Sequence, residues 1–310
     1  MSEKDMGSEE MIVSKSEMDK AVWREPLVLG EDQTNSVILP ETMLKIIDND
    51  YVSVILRAPA GIGKTSGVIN WGLENGMSVF VQECASDMAD SDLTGTWGLE
   101  DGSTKFLAGE IASAFRLSKE YEKEWKEATK GMSEKEADKV PKKKVLLLMD
   151  EINLLAPAVL KSIGSVFDFR RTIYTPVGRV YGAPEFLRVV GTMNSEEDSS
   201  GYLLDPALRS RCLVLTIPIK EVIENLGKAQ GNVNKVFLQV MEQTNAKFSI
   251  REMEQLVVLK QIMVGGKPMD TSTALMYVLD KYDEDERKII QSVFSSVSKT
   301  SLSTDDEKSE

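Results

Sequence analysis

The chain has 310 residues, of which 42% are hydrophobic and 28% are charged, a composition typical of a folded globular protein. Its 50 acidic residues outnumber its 37 basic residues and give a net charge of −13, which argues against a large nucleic-acid-binding surface. The chain contains no histidine, which excludes histidine as a general base and excludes most zinc sites.

The beginning of the chain is acidic and poor in apolar side chains, which predicts a disordered segment over residues 1–25. The start MSEKDMGSEE lacks the apolar core of a signal peptide, and no apolar run reaches the ~18–20 residues that cross a bilayer. We therefore expect a cytoplasmic protein that does not enter a membrane. Cys84 and Cys212, which lie far apart in apolar runs, are expected to be buried and reduced.

Apolar strand patterns alternate with helical patterns over residues 26–218, which predicts an α/β core with a five-stranded, parallel sheet. The strands are predicted at Val52–Leu56, Val79–Gln82, Val145–Met149, Leu187–Thr192 and Leu213–Ile217. Helices are predicted at Pro40–Ile47, Thr65–Glu74, Ala108–Glu127 and Pro157–Phe167.

Two β-hairpins are predicted to interrupt this alternation. Within residues 92–106, Asp101 and Gly102 form a dipeptide that is a strong hairpin signal. A second hairpin is predicted over residues 171–182, where Gly178 follows a proline turn. Residues 119–144 are dense in lysine and glutamate, which predicts a solvated helix followed by a linker.

Strand patterns stop near residue 219, and residues 219–297 are predicted to form a small domain of about four helices. Leu275, Val278, Leu279 and Tyr282 repeat at helical spacing, which is typical of a core-facing stripe. Residues 298–310 are polar and charged, and they are predicted to form a disordered tail.

A glycine-rich loop follows the first predicted strand and precedes a helix, the context in which backbone N–H groups cradle a phosphate. Its residues are Ala58, Pro59, Ala60, Gly61, Ile62, Gly63, Lys64, Thr65 and Ser66. Lys64 is expected to reach the β- and γ-phosphates, and the Thr65 hydroxyl is expected to bind Mg²⁺. Ala58 stands where the pattern asks for glycine, and a simple turn before a core helix is the alternative interpretation.

The strand Val145–Met149 leads directly into Asp150 and Glu151. Carboxylates at the carboxyl edge of a parallel sheet lie where such sheets bind ligands. Asp150 is expected to hold the hydration shell of Mg²⁺, and Glu151 to activate a water for attack on the γ-phosphate. Alone, the pair could equally cap the helix that follows.

Three further polar residues follow in order along the chain. Asn194 ends the next strand, where a neutral amide can hydrogen-bond the attacking water, although asparagine is also a common turn former. Arg209 and Arg211 precede the last strand. Either arginine could pair with a carboxylate of its own subunit or reach a neighbouring subunit's nucleotide as an arginine finger.

In combination these motifs resemble those of the AAA+ ATPases, and within them the MoxR-like and dynein-related group. The resemblance covers about residues 37–297 and includes a helix-2 insert and a hairpin before sensor 1. It implies a P-loop core with a helical lid, Arg211 as the trans-acting finger with Arg209 as the alternate, and Arg251 as the sensor 2 arginine. Cys212 and the long charged stretch at 119–144 depart from the pattern of the group.

The resemblance also implies a ring, expected to be a hexamer, that binds ATP with Mg²⁺ between neighbouring subunits. Its leading implied function is a MoxR-like chaperone that remodels a protein partner, with a von Willebrand A-type protein as the family-level candidate. The alternative is a nucleic-acid motor or an McrB-like NTPase, motivated by Arg170, Arg171 and Arg179 around the second hairpin. A nucleotide-regulated scaffold is a third hypothesis.

Overall fold

The computed structural model describes residues 21–28, 39–195, 204–229, 235–244, 248–264 and 267–306. The disorder expected for residues 1–20 and 307–310 lies outside the described residues. In the described part of the chain, no helix has the length and apolar character that a membrane span requires.

The centre of the molecule is a five-stranded sheet whose neighbouring strands are all parallel. The strands are β1 (Val54–Ala58), β2 (Ser78–Glu83), β5 (Val145–Asp150), β8 (Leu187–Asn194) and β9 (Leu213–Thr216), in the order β2-β5-β8-β1-β9. The inner strands are apolar on both faces because parallel sheets are covered by helices on both sides. The predicted α/β fold with a five-stranded parallel sheet is confirmed.

Helices cover both faces of the sheet. They are α1 (Glu41–Ile47), α2 (Lys64–Glu74), α4 (Glu110–Ala128) and α6 (Pro157–Ser162). Along β5 successive side chains point to opposite faces, so Leu146 belongs to the core beneath α1 and α2, while Leu147 belongs to the core beneath α4. Each half of the core therefore depends on alternate residues of the same strand.

Two hairpins leave this sheet. A short helix α3 (Asp90–Thr94) leads into β3 (Gly95–Glu100) and β4 (Ser103–Ala108), and β6 (Thr172–Thr175) pairs with β7 (Gly178–Tyr181). Asp101 and Gly102 both have positive φ, as the tight hairpin turn requires. In the lysine- and glutamate-rich stretch, α4 ends at Ala128 and a one-turn helix α5 (Glu134–Ala137) precedes β5.

The segment before the core is attached to it. The Val22 N–H donates to the carbonyl of Phe106 at 2.8 Å, and the Leu27 N–H donates to the carbonyl of Val79 at 2.7 Å. The Trp23 ring meets the Phe106 ring edge-on at 6.1 Å. Residues 21–25, which were expected to be disordered, are thus held against β4 by backbone hydrogen bonds and an edge-on aromatic contact.

After β9 the chain is mainly helical, with a hairpin of two-residue strands. A one-turn helix α7 (Pro206–Arg209) precedes β9, and the later elements are α8 (Ile219–Ala229), α9 (Lys235–Gln243), α10 (Ile250–Gln261), β10 (Met263–Val264), β11 (Lys267–Pro268), α11 (Thr271–Leu279) and α12 (Glu284–Asp306). About four helices were predicted, and the described part contains five after β9. Within the segment that was predicted to be a disordered tail, α12 extends as far as Asp306.

A buried arginine connects α1 to the sheet. Arg188 of β8 is fully buried, and its guanidinium pairs with Asp48 and Asp50, which follow α1. The Lys144 ammonium lies 2.6 Å from the Asp48 carboxylate. Partial burial acts to raise the pKa of Asp48, but Lys144 and Arg188 outweigh it and hold that pKa below its ordinary value.

Asp48→Asn is expected to lower the free energy of unfolding at pH 7 by about 1 kcal/mol or less, because the Asp48 side chain is 45% exposed. Because the pKa of Asp48 is lower in the folded than in the unfolded protein, its charge stabilises the fold above the unfolded pKa, which is about 4. The wild type therefore keeps its higher free energy of unfolding above about pH 4 and loses that difference as the pH falls further. Urea unfolding at pH 7 and pH 3 measures both differences. An equal difference at the two pH values would contradict the assignment.

Candidate functional site

The strand order brings the predicted site residues to one edge of the sheet. β5, β8 and β1 are adjacent and parallel, so their carboxyl ends meet. Ala58 at the end of β1 is in register with Asn194 at the end of β8, and Asp150 ends β5 beside them. Residues that are far apart in the chain thus become neighbours.

The glycine-rich loop encloses the ammonium of Lys64. Lys64 is buried, and its Nζ donates to the carbonyls of Ala58 at 3.0 Å and Pro59 at 2.9 Å and to Asn194 Oδ1 at 2.9 Å. Gly61 and Gly63 have φ of 75° and 80°, which favours glycine at both positions. Ala58 is the last residue of β1 and has no positive φ, so alanine fits where glycine was expected.

Asp150 is held by two hydroxyl groups. Thr65 Oγ1 at the start of α2 donates to Asp150 Oδ1 at 2.6 Å, and the Thr192 hydroxyl donates to the same oxygen. Thr192 Oγ1 in turn accepts the backbone N–H of Glu151 at 2.9 Å. Hydrogen bonds to the charged form of a carboxylate are the stronger kind, so this contact fixes Asp150 relative to the loop.

Glu151 has a left-handed backbone, with φ of 52°, directly after β5. This conformation costs a non-glycine residue about 1–3 kcal/mol and persists only where surrounding contacts enforce it. Thr192 holds its N–H, and Asn194 Nδ2 donates to Glu151 Oε1 at 3.1 Å. Asn194 therefore joins the Glu151 carboxylate to the Lys64 ammonium.

The chemistry of these groups fits a nucleotide with Mg²⁺. Thr65 and Asp150 present the hard oxygen donors that Mg²⁺ prefers, and Mg²⁺ commonly takes only one or two protein ligands and keeps several waters. No group of three or more histidine, cysteine, aspartate or glutamate residues in the described ranges could hold a metal. The N-terminus of α2 and the Lys64 ammonium both favour an anion at the loop.

The start of α10 rests on the glycine-rich loop. A Cβ on Gly61 would lie well under 3.0 Å from the Ser249 side chain and 3.5 Å from Cβ of Arg251. Ser249 caps α10 together with Glu252, whose carboxylate also pairs with Lys281. The exposed Arg251 thus lies beside the loop on the same chain.

Arg209 and Arg211 lie at the opposite edge of the sheet. Leu213 is in register with Val54, so Arg211 precedes the amino ends of the strands, while the loop follows their carboxyl ends. The strand between these edges is roughly 15 Å long at about 3.3 Å per residue. Arg211 Nε lies 3.8 Å from Asp168 Oδ2 of the same chain, and Arg209 is exposed. Within one subunit neither arginine joins the other site residues.

Both cysteines are free thiols, but only Cys84 is fully buried. Burial raises the pKa of Cys84 to about 12, with a further contribution from the charges of Asp150 and Glu151. Burial raises the pKa of Cys212 to about 11. Both thiols therefore stay protonated at neutral pH, which excludes a thiolate from the chemistry of this site.

Sequence reasoning missed Thr192 and Ser249. Thr192 has a weak signal, since it is a polar residue two positions before Asn194 in β8 and so shares its face. Ser249 has only a capping-box signal, with Glu252 three residues later, and nothing in that pattern indicates contact with the loop.

The family model described as AAA domain (dynein-related subfamily) matches residues 53–212, which is slightly more than half of the chain. No curated protein matches the sequence. The crystal structure of a candidate ATPase from Cytophaga hutchinsonii is similar with a TM-score of 0.42 and 14% sequence identity, covering 83% of this chain and 82% of that one.

Thr192→Val is expected to reduce ATP turnover about 10-fold or more, because it removes one hydrogen bond to Asp150 and leaves the Glu151 N–H without its acceptor. Steady-state kinetics measure the loss, and thermal unfolding shows whether the fold is kept. Thr104→Val on the exposed face of β4 is a matched control and should behave like the wild type. Turnover within about two-fold of the wild type in Thr192→Val would contradict the role of this hydroxyl.

Proposed function

The chain belongs to the AAA domain family, dynein-related subfamily, whose members bind and hydrolyse ATP, and we propose that it works as a ring that remodels a partner protein complex. One observation carries the proposal. A continuous hydrogen-bonded network at one edge of the sheet joins Lys64, Asn194 and Glu151 through Thr192 to Asp150 and Thr65.

The network divides the work of hydrolysis among these residues. Thr65 and Asp150 would hold Mg²⁺, which would supply charge neutralisation on the phosphates. Lys64 binds the phosphates as a fixed positive charge. Glu151 orients a water and accepts its proton, while Asn194 holds the Glu151 carboxylate in place. Arg251, at the start of α10 beside Gly61, adds positive charge from the helical domain.

A second copy of the chain completes the site. Arg209 and Arg211 lie at the sheet edge that faces away from the nucleotide loop of their own subunit. A head-to-tail contact places one subunit's arginine edge against the next subunit's loop, and such contacts close into rings. The family pattern favours a hexamer, with Arg211 as the finger and Arg209 as the alternate.

The two hairpins are the surfaces that we assign to the partner. On the first hairpin, Leu99 is 77% exposed and Trp97 is 44% exposed, and on the second hairpin Tyr174 is 67% exposed. Large exposed apolar side chains on projecting hairpins are typical of protein-binding surfaces. A protein partner also suits the net charge of −13, and a von Willebrand A-type protein remains the family-level candidate.

Mixing two inactive variants tests the shared site. Lys64→Ala is expected to lose nucleotide binding, and Arg211→Ala is expected to keep binding and lose turnover, by about 10³-fold or more. Mixed rings should regain turnover, because Lys64→Ala subunits can donate Arg211 to Arg211→Ala neighbours that still bind ATP. Phosphate release measures the rate, and fluorescent ATP measures binding.

Glu151→Gln is the control for oligomer state, because it should bind ATP and assemble without hydrolysing it. The mass of that variant with Mg·ATP gives the ring size. If Arg211→Ala alone turns over ATP normally while Arg209→Ala does not, the finger is Arg209. If mixing restores nothing, the shared site is wrong.

A nucleic-acid motor is the second candidate, and one cluster on the second hairpin favours it. The guanidinium of Arg179 donates to the hydroxyls of Tyr174 at 2.9 Å and Tyr181 at 3.1 Å and lies 4.9 Å from the Tyr174 ring centre. Exposed aromatic rings beside an arginine are the kind of surface on which nucleobases stack. Arg171 does not contribute, because it is fully buried, and Arg170 pairs with Asp168.

DNA stimulation separates the two candidates. We expect single- or double-stranded DNA to change ATP turnover by less than about two-fold at moderate salt, because net acidity opposes binding to a polyanion. Stimulation of about 10-fold or more that disappears in Arg179→Ala would establish the motor instead. Comparing ATP with GTP turnover in the same assay tests the McrB-like alternative.

A further inference from the structure

Arg211 lies against the turn that follows α6. Its guanidinium contacts Gly164 on one side and the carboxylate of Asp168 on another. We infer that Gly164 and Asp168 are positioning residues that set the Arg211 guanidinium for use by the neighbouring subunit. The inference rests on the proposed trans role of Arg211 and adds the residues that control it.

Gly164 provides the space that the guanidinium occupies. A Cβ on Gly164 would lie well under 3.0 Å from Arg211 Nη1 and 3.2 Å from Cζ. Gly164 does not have a positive φ, so its backbone does not require glycine. The observation that explains glycine at this position is therefore the Arg211 side chain rather than the turn.

Asp168 holds Arg211 loosely. Its side chain is 12% exposed, and its two oxygens face the Arg170 guanidinium in the bidentate arrangement that gives strong pairs. Arg211 contacts Asp168 only through its Nε, which lies 3.8 Å from Oδ2, and its side chain is 33% exposed. The Asp168 carboxylate thus orients the Arg211 guanidinium without binding it tightly, so that Arg211 can still contact a neighbouring subunit.

The turn that carries Gly164 and Asp168 is attached to the amino end of β1. The Ser53 hydroxyl, which is fully buried, donates to the carbonyl of Phe167 at 2.8 Å, and the buried Arg171 guanidinium donates to Ser53 and to the carbonyl of Val166 at 2.6 Å. The carbonyl of Ser53 accepts the N–H of Leu213 at 2.8 Å. Ser53 thus fixes both the turn that carries Gly164 and Asp168 and the strand that follows Arg211.

Gly164→Ala tests the inference in the mixed-ring assay. The clashing atoms are the far end of a flexible side chain, so the variant should fold with Arg211 displaced. The Lys64→Ala subunit is the one that donates Arg211. When Gly164→Ala is added to that subunit, the restored ATP turnover is expected to fall at least about 10-fold, because misplacing a catalytic group by ~1 Å costs up to ~100-fold in rate. Added to the Arg211→Ala subunit, which donates nothing, it should cost at most about two-fold.

Placing substitutions on the donating subunit also tests the role of Asp168. Asp168→Asn on the donating subunit is expected to lower the restored rate, because it removes the charge that aligns Arg211. Lys161→Ala on the donating subunit is the matched control, since it removes an exposed charge of α6 that the argument does not use, and it should leave the rate unchanged. Thermal unfolding and ring mass are measured for each variant to confirm that assembly is kept.

Each outcome decides the question. The inference is overturned if Gly164→Ala lowers the restored rate equally on either subunit, or if it causes no loss on the donating subunit. Neither result contradicts the shared site. A loss with Lys161→Ala as large as with Asp168→Asn assigns the effect to the stability of this segment and overturns the positioning role of Asp168. If the unmodified pair of variants restores no turnover, the trans arginine fails, and the inference fails with it.

Discussion

The site depends on the hydrogen bonds that Asp150 accepts from Thr65 and Thr192. They join the end of β5 to the start of α2 and to β8, so three elements share one carboxylate. Because the Thr192 hydroxyl also accepts the Glu151 N–H, the same contact holds the left-handed backbone of Glu151 in place. The left-handed backbone of Glu151 and the position of the Asp150 carboxylate therefore both depend on the Thr192 hydroxyl.

The parallel sheet separates two kinds of chemistry. Its carboxyl edge collects the nucleotide loop and the carboxylates, and its amino edge collects Arg211, the turn that carries Asp168, and the buried Arg171. Because the sheet lies between the two edges, the Arg211 side chain cannot reach the glycine-rich loop of its own subunit. The proposed function therefore calls for a neighbouring subunit, and Ser53 links β1 to the turn beside Arg211.

Much of the fold was readable from local patterns. Apolar runs located the five strands, and the glycine-rich loop located Lys64 and Thr65, since these signals depend on short stretches of chain. Local patterns were wrong where distant contacts decide the outcome. Residues 21–25 follow an acidic segment and were grouped with it, yet hydrogen bonds to β4 and a tryptophan contact hold them in place. Arg171 has the sequence of a solvated hairpin arginine, yet it is fully buried.

By itself the sequence determined which chemical groups the chain carries and in what order: a loop with lysine and threonine, two carboxylates, an amide and two arginines. Only the tertiary structure decided which of them meet. The strand order places β8 between β5 and β1, which puts Asn194 beside Lys64 and Glu151, and the docking of the turn at Ser53 surrounds Arg211 with Gly164 and Asp168. These contacts join residues more than 40 positions apart, and packing of the whole core fixes them where local propensity cannot.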